Sequence, residues 1–148
     1  MGSLSLPASG TIYVDTQVII YSVERHPVYL PLIEPIWHAA RAGNIAVVTS
    51  ALTLLECLVL PLRLGDQALQ RAYEQALLGT ELRLMPIDQG ILREAAKLRA
   101  ASSSLRTPDA IHAATAAVGG CGLFVTNDMA LRRLAGCAVA VLNDLLQP

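Results

Sequence analysis

At 148 residues the chain has room for one hydrophobic core and is too short for two. A net charge of −1 offers nucleic acid no bulk attraction, and no apolar run approaches the roughly 20 residues that span a bilayer, because Glu56 and Pro61 interrupt the most hydrophobic stretch. The 53% hydrophobic content is high for a small domain and suggests that a partner covers some apolar surface.

The opening MGSLSLPASG has neither the basic start nor the long apolar stretch of an export signal, so residues 1–10 read as a flexible lead-in to a single domain over 11–148. TIYV follows as a short buried strand with Asp15 behind it. Helical periodicity then runs from Val28 to Ala42; Leu30, Ile33, Ile36 and Trp37 there suit a core, with a sticky face for a partner as the alternative. IAVVTS repeats the strand pattern. Ala51 to Leu62 predicts a helix apolar nearly all round and therefore buried, whose Glu56 has to point into a polar pocket. Asp66 to Leu78 predicts another helix, and LRLMPI a weaker strand. Asp88 suits the cap of a helix over Gln89 to Ala101. For the helix from Pro108 to Val118, Thr107 suits the cap and Pro108 the first position, which sets Asp109 in the first turn, where the helix dipole favours an anion. Gly119, Gly120 and Gly122 end that helix; they precede a strand, so they are no phosphate cradle. GLFVTND is the third clear strand, with Asp128 behind it, and VAVLND closes the chain as a weaker one. Strands alternating with helices predict an α/β domain with a mainly parallel sheet, in which ligands collect beyond the carboxyl ends of the strands.

Four acids therefore stand where this composition should avoid charge: Asp15, Glu56, Asp109 and Asp128. An unpaired buried carboxylate costs several kcal/mol, and the sequence predicts no spare Lys or Arg beside any of them. Singly each has a plain explanation, a turn for Asp15, helix caps for Asp109 and Asp128, and a pairing of Glu56 with Arg63 two turns on. Jointly they call for a shared compensator. A hard divalent cation, Mg²⁺ or Mn²⁺, prefers oxygen ligands and keeps crowded carboxylates ionised. With four acids so assigned, the eleven Lys and Arg outnumber the remaining acids, and ten of the eleven are Arg, suited to phosphate. Cys57, Cys121 and Cys137 form no C-x-x-C pair and read as reduced core thiols of a cytoplasmic protein. His112 stands three residues beyond Asp109, but in an Ala-rich helix it reads as a local hydrogen-bonding group outside the site.

The segments IYVDTQVIIY, TSALTLLECLVLP, RTPDAIHAATA and FVTND together resemble the four acidic motifs of PIN-domain ribonucleases, and most of all those of VapC-type toxins of type II toxin–antitoxin modules. The resemblance runs from Ile12 to Leu134, with the third and fourth motifs the more specific. It implies a three-layer α/β/α sandwich, a Mg²⁺- or Mn²⁺-dependent endoribonuclease that hydrolyses phosphodiesters with a metal-activated water, a cognate antitoxin, an RNA substrate and a homodimer. It also implies Asp15 and Asp109 as the main metal ligands, Glu56 and Asp128 as ligands through water or at a second site, and Thr126 with Asn127 as polar companions of the last acid. Thr126 would orient a water, and Arg63 or Arg106 would hold phosphates. Ala130 stands where the family often carries a further acid.

Rival readings fit less well. A dehalogenase-type phosphohydrolase needs a second Asp where Gln17 stands, and a phospho-receiver needs a Lys after a late strand, whereas Lys97 is helical. The rival from another class is a PIN-like module that binds RNA or protein without cutting.

Overall fold

The computed structural model describes residues 2–134 and 136–148. Among these, five strands, β1 (Thr11–Val14), β2 (Ala46–Ser50), β3 (Arg83–Met85), β4 (Leu123–Thr126) and β5 (Ala138–Val141), alternate with six α-helices. The helices are α1 (Thr16–Val23), α2 (Leu30–Arg41), α3 (Leu52–Leu64), α4 (Gln67–Leu78), α5 (Gln89–Ala101) and α6 (Thr107–Val118). The strands form one sheet in the order β3-β2-β1-β4-β5, with every pairing parallel. No helix among the described residues is long and apolar enough to cross a membrane.

The three layers follow from the strand alternation. Ile12 and Val14 of β1 face one core with Val18 and Ile19 of α1, Ile33 and Ile36 of α2, Cys57 of α3, and Tyr73 and Leu77 of α4. Tyr13, one residue out of phase, faces the opposite side with Val48, Phe124 and Ala116 of α6, while α5 and α6 close that side through Ile91, Ala95, Ala110 and Ala114. Helices on both faces explain why β1 and β4 read as unbroken apolar runs. Cys57 and Cys121 are buried thiols, as their contexts suggest, and Cys137 is half-buried.

The structure departs from the sequence reading in several places. Helix α1 was not expected as a separate element: TQVIIYSV is rich in β-branched residues, which lowers its helical signal, and Asp15 nucleates it by capping from outside. The cap position of α6 is Arg106, without a side-chain cap bond, so Thr107 is the first helical residue and Asp109 lies in the first turn, one place further in than expected. Helix α3 is not buried all round. Cys57, Thr53 and Pro61 face inward, while Leu55, Val59, Leu60, Leu62 and Leu64 are exposed. Trp37 packs against the larger core and donates from Nε1 to Ser22 Oγ at 2.8 Å. The segment ahead of β1, expected to be a flexible lead-in, buries Leu4 in that same core, and Gly2 N donates to Leu145 O at 2.7 Å.

The cap on α5 is as the sequence predicts: Asp88 Oδ1 accepts from Ile91 N at 2.9 Å. Asp88→Ala is expected to lower stability by about 1 kcal/mol, read as a lower urea midpoint with unchanged slope.

Candidate functional site

The sheet order sets the site. From β1 the chain builds outward through β2 and β3 on one side, and β4 and β5 then fill the other, so the order reverses at the β1–β4 junction. Helices leaving adjacent strand ends there diverge to opposite faces and open a crevice. A cleft of about 120 Å³ lies at this point, and Asp15, Glu56, Asp109, Asp128, Arg106 and His112 all line it. Four acids separated by up to 113 positions thus share one wall-to-wall space, the first two reached through β1 and α3 and the others through α6 and the end of β4.

Asp15 follows the last residue of β1, and its own N–H continues the ladder to Val125 O at 3.1 Å. Its carboxylate is 6% exposed. Oδ1 accepts from the N–H groups of Gln17 at 3.1 Å and Val18 at 3.4 Å, and Oδ2 accepts from Thr126 Oγ1. Burial pushes this carboxyl up to about 6, in spite of the Thr126 hydroxyl, the nearby His112 and the two backbone N–H groups, all of which favour the ionised form. Thr126 is the buried last residue of β4 and also accepts from Asp128 N at 3.0 Å, so one hydroxyl ties the ends of β1 and β4 together. Asp128 caps the short 3₁₀ turn Met129–Leu131 through Ala130 N at 2.9 Å.

Glu56 points from α3 into the cleft and is half-buried. Its Oε1 accepts from Thr16 Oγ1 at 2.8 Å and lies 2.7 Å from His112 Nε2. Desolvation would raise this carboxyl, but the hydrogen bond to His112 and that from the Thr16 hydroxyl outweigh it and hold the group below the usual range. Asp109 is well shielded, and its Oδ2 meets Arg106 Nε at 3.2 Å.

Three sequence expectations need correction here. Asp109 does have an arginine beside it, Arg106. Arg63 is exposed in the last turn of α3, outside the lining of the cleft, and forms no ion pair with Glu56 among the described residues. His112, expected outside the site, lines the cleft and bonds to Glu56; its spacing of three from Asp109 on one helix face is the sequence signal for this. Asn127 turns away from the cleft and stitches loops, donating to Tyr21 Oη at 3.0 Å and accepting from Asn143 N at 2.8 Å.

Among the described residues, no three His, Cys, Asp or Glu side chains form a closed ligand group. The donors nevertheless fit a hard cation of the kind that keeps several of its waters and takes only one or two protein carboxylates. Asp15 and Asp128 have no ion-pair partner among the described residues, and the raised pKa of Asp15 is the mark of a buried charge that lacks compensation. All the candidate donors are oxygens.

A model of the PIN domain family matches residues 12–136. No curated protein matches the chain. Among solved structures, VapBC2 from Rickettsia felis, bound to a DNA fragment from their promoter, aligns with a TM-score of 0.69 at 17% identity over 88% of this chain and 98% of that one. A toxin–antitoxin complex from Klebsiella pneumoniae gives 0.64 at 21% identity over 88% and 97%, and DNA-bound VapBC from Salmonella typhimurium 0.62 at 18% over 89% and 98%. At such identities these likenesses are ones of fold.

Proposed function

The chain belongs to the PIN-domain family, and on that premise we propose that it is a Mg²⁺- or Mn²⁺-dependent endoribonuclease, the VapC-type toxin of a toxin–antitoxin pair. The observation that carries this reading is the convergence of Asp15, Glu56, Asp109 and Asp128 on one cleft at the switch point of the sheet.

Asp15 and Asp109 are the assigned direct ligands, with Glu56 and Asp128 acting through water or at a second site completed by substrate. A bound ion would supply a water of lowered pKa and positive charge for the departing oxygen. The protein's own part is orientation. Thr126 and two backbone N–H groups fix the plane of the Asp15 carboxylate, and His112 and Thr16 fix that of Glu56. Arg106 sits at the cleft with its side chain 75% exposed, where it can meet a phosphodiester and screen Asp109. A larger, mainly apolar cleft shares Asp109 and Leu131 with the first and gives room for a neighbouring base.

Arg106→Ala is accordingly expected to raise KM for RNA several-fold with little loss of kcat and to flatten the dependence of binding on salt, read from steady-state kinetics at two ionic strengths. The exposed leucines of α3 support a partner that covers them, an antitoxin or a second copy in a homodimer. The proposed setting is the cytoplasm, where RNA is available and free thiols persist.

Cleavage of an RNA pool by purified protein, first in EDTA and then with Mg²⁺ or Mn²⁺ restored, tests the assignment. Metal-restored endonucleolytic cutting is the expected outcome. Tight RNA binding without cutting under any divalent ion would instead favour a non-catalytic module.

A further inference from the structure

One buried group in the cleft lies outside the acidic quartet and touches it. His112, on the inner face of α6, is 5% exposed, and both of its ring nitrogens are engaged. Nδ1 lies 2.5 Å from Tyr13 Oη and Nε2 lies 2.7 Å from Glu56 Oε1. Tyr13 is fixed in turn. It is fully buried in β1, stacked on Phe124 with ring centroids 4.8 Å apart, and set edge-on to His112 at 5.9 Å.

The direction of the bonds follows from donors and acceptors. Ser50 N donates to Tyr13 Oη at 3.1 Å, so the phenol oxygen is already an acceptor and has its own proton left to give. Among the described hydrogen bonds of Tyr13 Oη, Ser50 N is a donor and His112 Nδ1, at 2.5 Å, is the one group placed to accept the phenol proton. An imidazole that accepts at Nδ1 carries its proton on Nε2, facing Glu56. Thr16 Oγ1 donates to the same oxygen of Glu56, Oε1, at 2.8 Å, and no described donor is bonded to Oε2.

We propose that Ser50 N–H, Tyr13 and His112 form a one-way donor chain that positions Glu56, anchoring Oε1 and leaving Oε2 to face the cleft. His112 is then a positioning residue for the nuclease centre. Its effect on rate rests on the nuclease reading; the chain itself does not.

Two measurements test this. Nitrogen-15 NMR of the histidine-labelled protein, without RNA or metal, reads the tautomer directly: the Nε2–H form is expected for His112, with loss of that preference in Tyr13→Phe. An Nδ1–H form in the parent overturns the proposal. Single-turnover RNA cleavage then compares two replacements checked for folding by circular dichroism. His112→Asn retains a polar group toward Tyr13 but cannot reach Glu56, and it is expected to slow cleavage about 10- to 100-fold with RNA affinity nearly unchanged. His112→Gln places an amide donor near the Nε2 position and is expected to recover most of that loss. In a Glu56→Gln background the Asn replacement is expected to cost less than about twofold, because the two residues act as one unit. Equal damage by Asn and Gln, or an undiminished loss in that background, overturns the proposal. If the parent cuts no RNA under any divalent ion, the nuclease reading fails while the NMR result still decides the donor chain.

Discussion

Asp15→Asn is expected to slow RNA cleavage by a thousandfold or more, about 4 kcal/mol of lost transition-state stabilisation, while the protein stays folded. The replacement suits the site sterically. An asparagine carbonyl can still accept from the N–H groups of Gln17 and Val18, and its amide can donate to Thr126 Oγ1, whose remaining lone pair already takes the Asp128 N–H. What disappears is the negative charge that a cation requires, together with the acceptor of the Thr126 hydroxyl proton. The variant should therefore show the parent's circular dichroism and a melting temperature at neutral pH equal to or above that of the metal-free parent. A variant that unfolds would place Asp15 in the architecture, and one that cuts RNA at the parental rate would remove it from the chemistry.

The second large effect is one of pH. The Asp15 carboxyl titrates at about 6 in the folded protein, against an ordinary value of 3.8, chiefly because it is buried. An acid whose pKa is raised by folding penalises the folded state wherever it is ionised in both states. That penalty, about 3 kcal/mol, is present in full above pH 6, falls as the folded form takes up a proton between pH 6 and 4, and is gone below the unfolded value. Metal-free protein is thus expected to melt at a higher temperature at pH 5 than at pH 8, and Asp15→Asn should remove most of that difference. Glu56 has the opposite sign, since its carboxyl is held below 4.5, but its contribution is lost only at more acid pH and leaves the comparison intact. Mn²⁺ should restore stability most at pH 8 and progressively less below pH 6, where protons compete for Asp15. Melting curves in EDTA and in Mn²⁺ at the two pH values read both effects.

Much of this organisation is legible in the chain because the underlying signals are local. Short β-branched runs flanked by helical periods mark β1, β2 and β4 clearly and β5 more weakly, β3 is a weaker candidate without branched residues, and Asp88 announces a helix start by its position alone. The acids stand out because each follows, interrupts or opens an apolar segment, and only the sheet order brings them to one cleft. Helix α1 is hidden by residues such as Val18, Ile19 and Ile20, whose branched side chains read as strand until a cap fixes the backbone. The exposure of α3 is hidden for another reason. When leucines occupy every face of a helix, periodicity cannot say which face meets the sheet, and burial depends on what α1 and α6 leave uncovered. The role of His112 is hidden because its partners Tyr13 and Glu56 lie 99 and 56 residues away and no spacing rule links them.

Carboxylates from separate segments are proposed to form one cation-dependent cutting site. The most direct test is to measure Mn²⁺ binding by isothermal calorimetry and RNA cleavage rate over the same Mn²⁺ concentrations, for the parent and for Asp15→Asn. In the parent the two curves are expected to rise together and saturate at the same concentration, and in the variant both are expected to collapse. Cleavage that proceeds in EDTA, or Mn²⁺ binding that is unchanged by loss of the Asp15 charge, would contradict this.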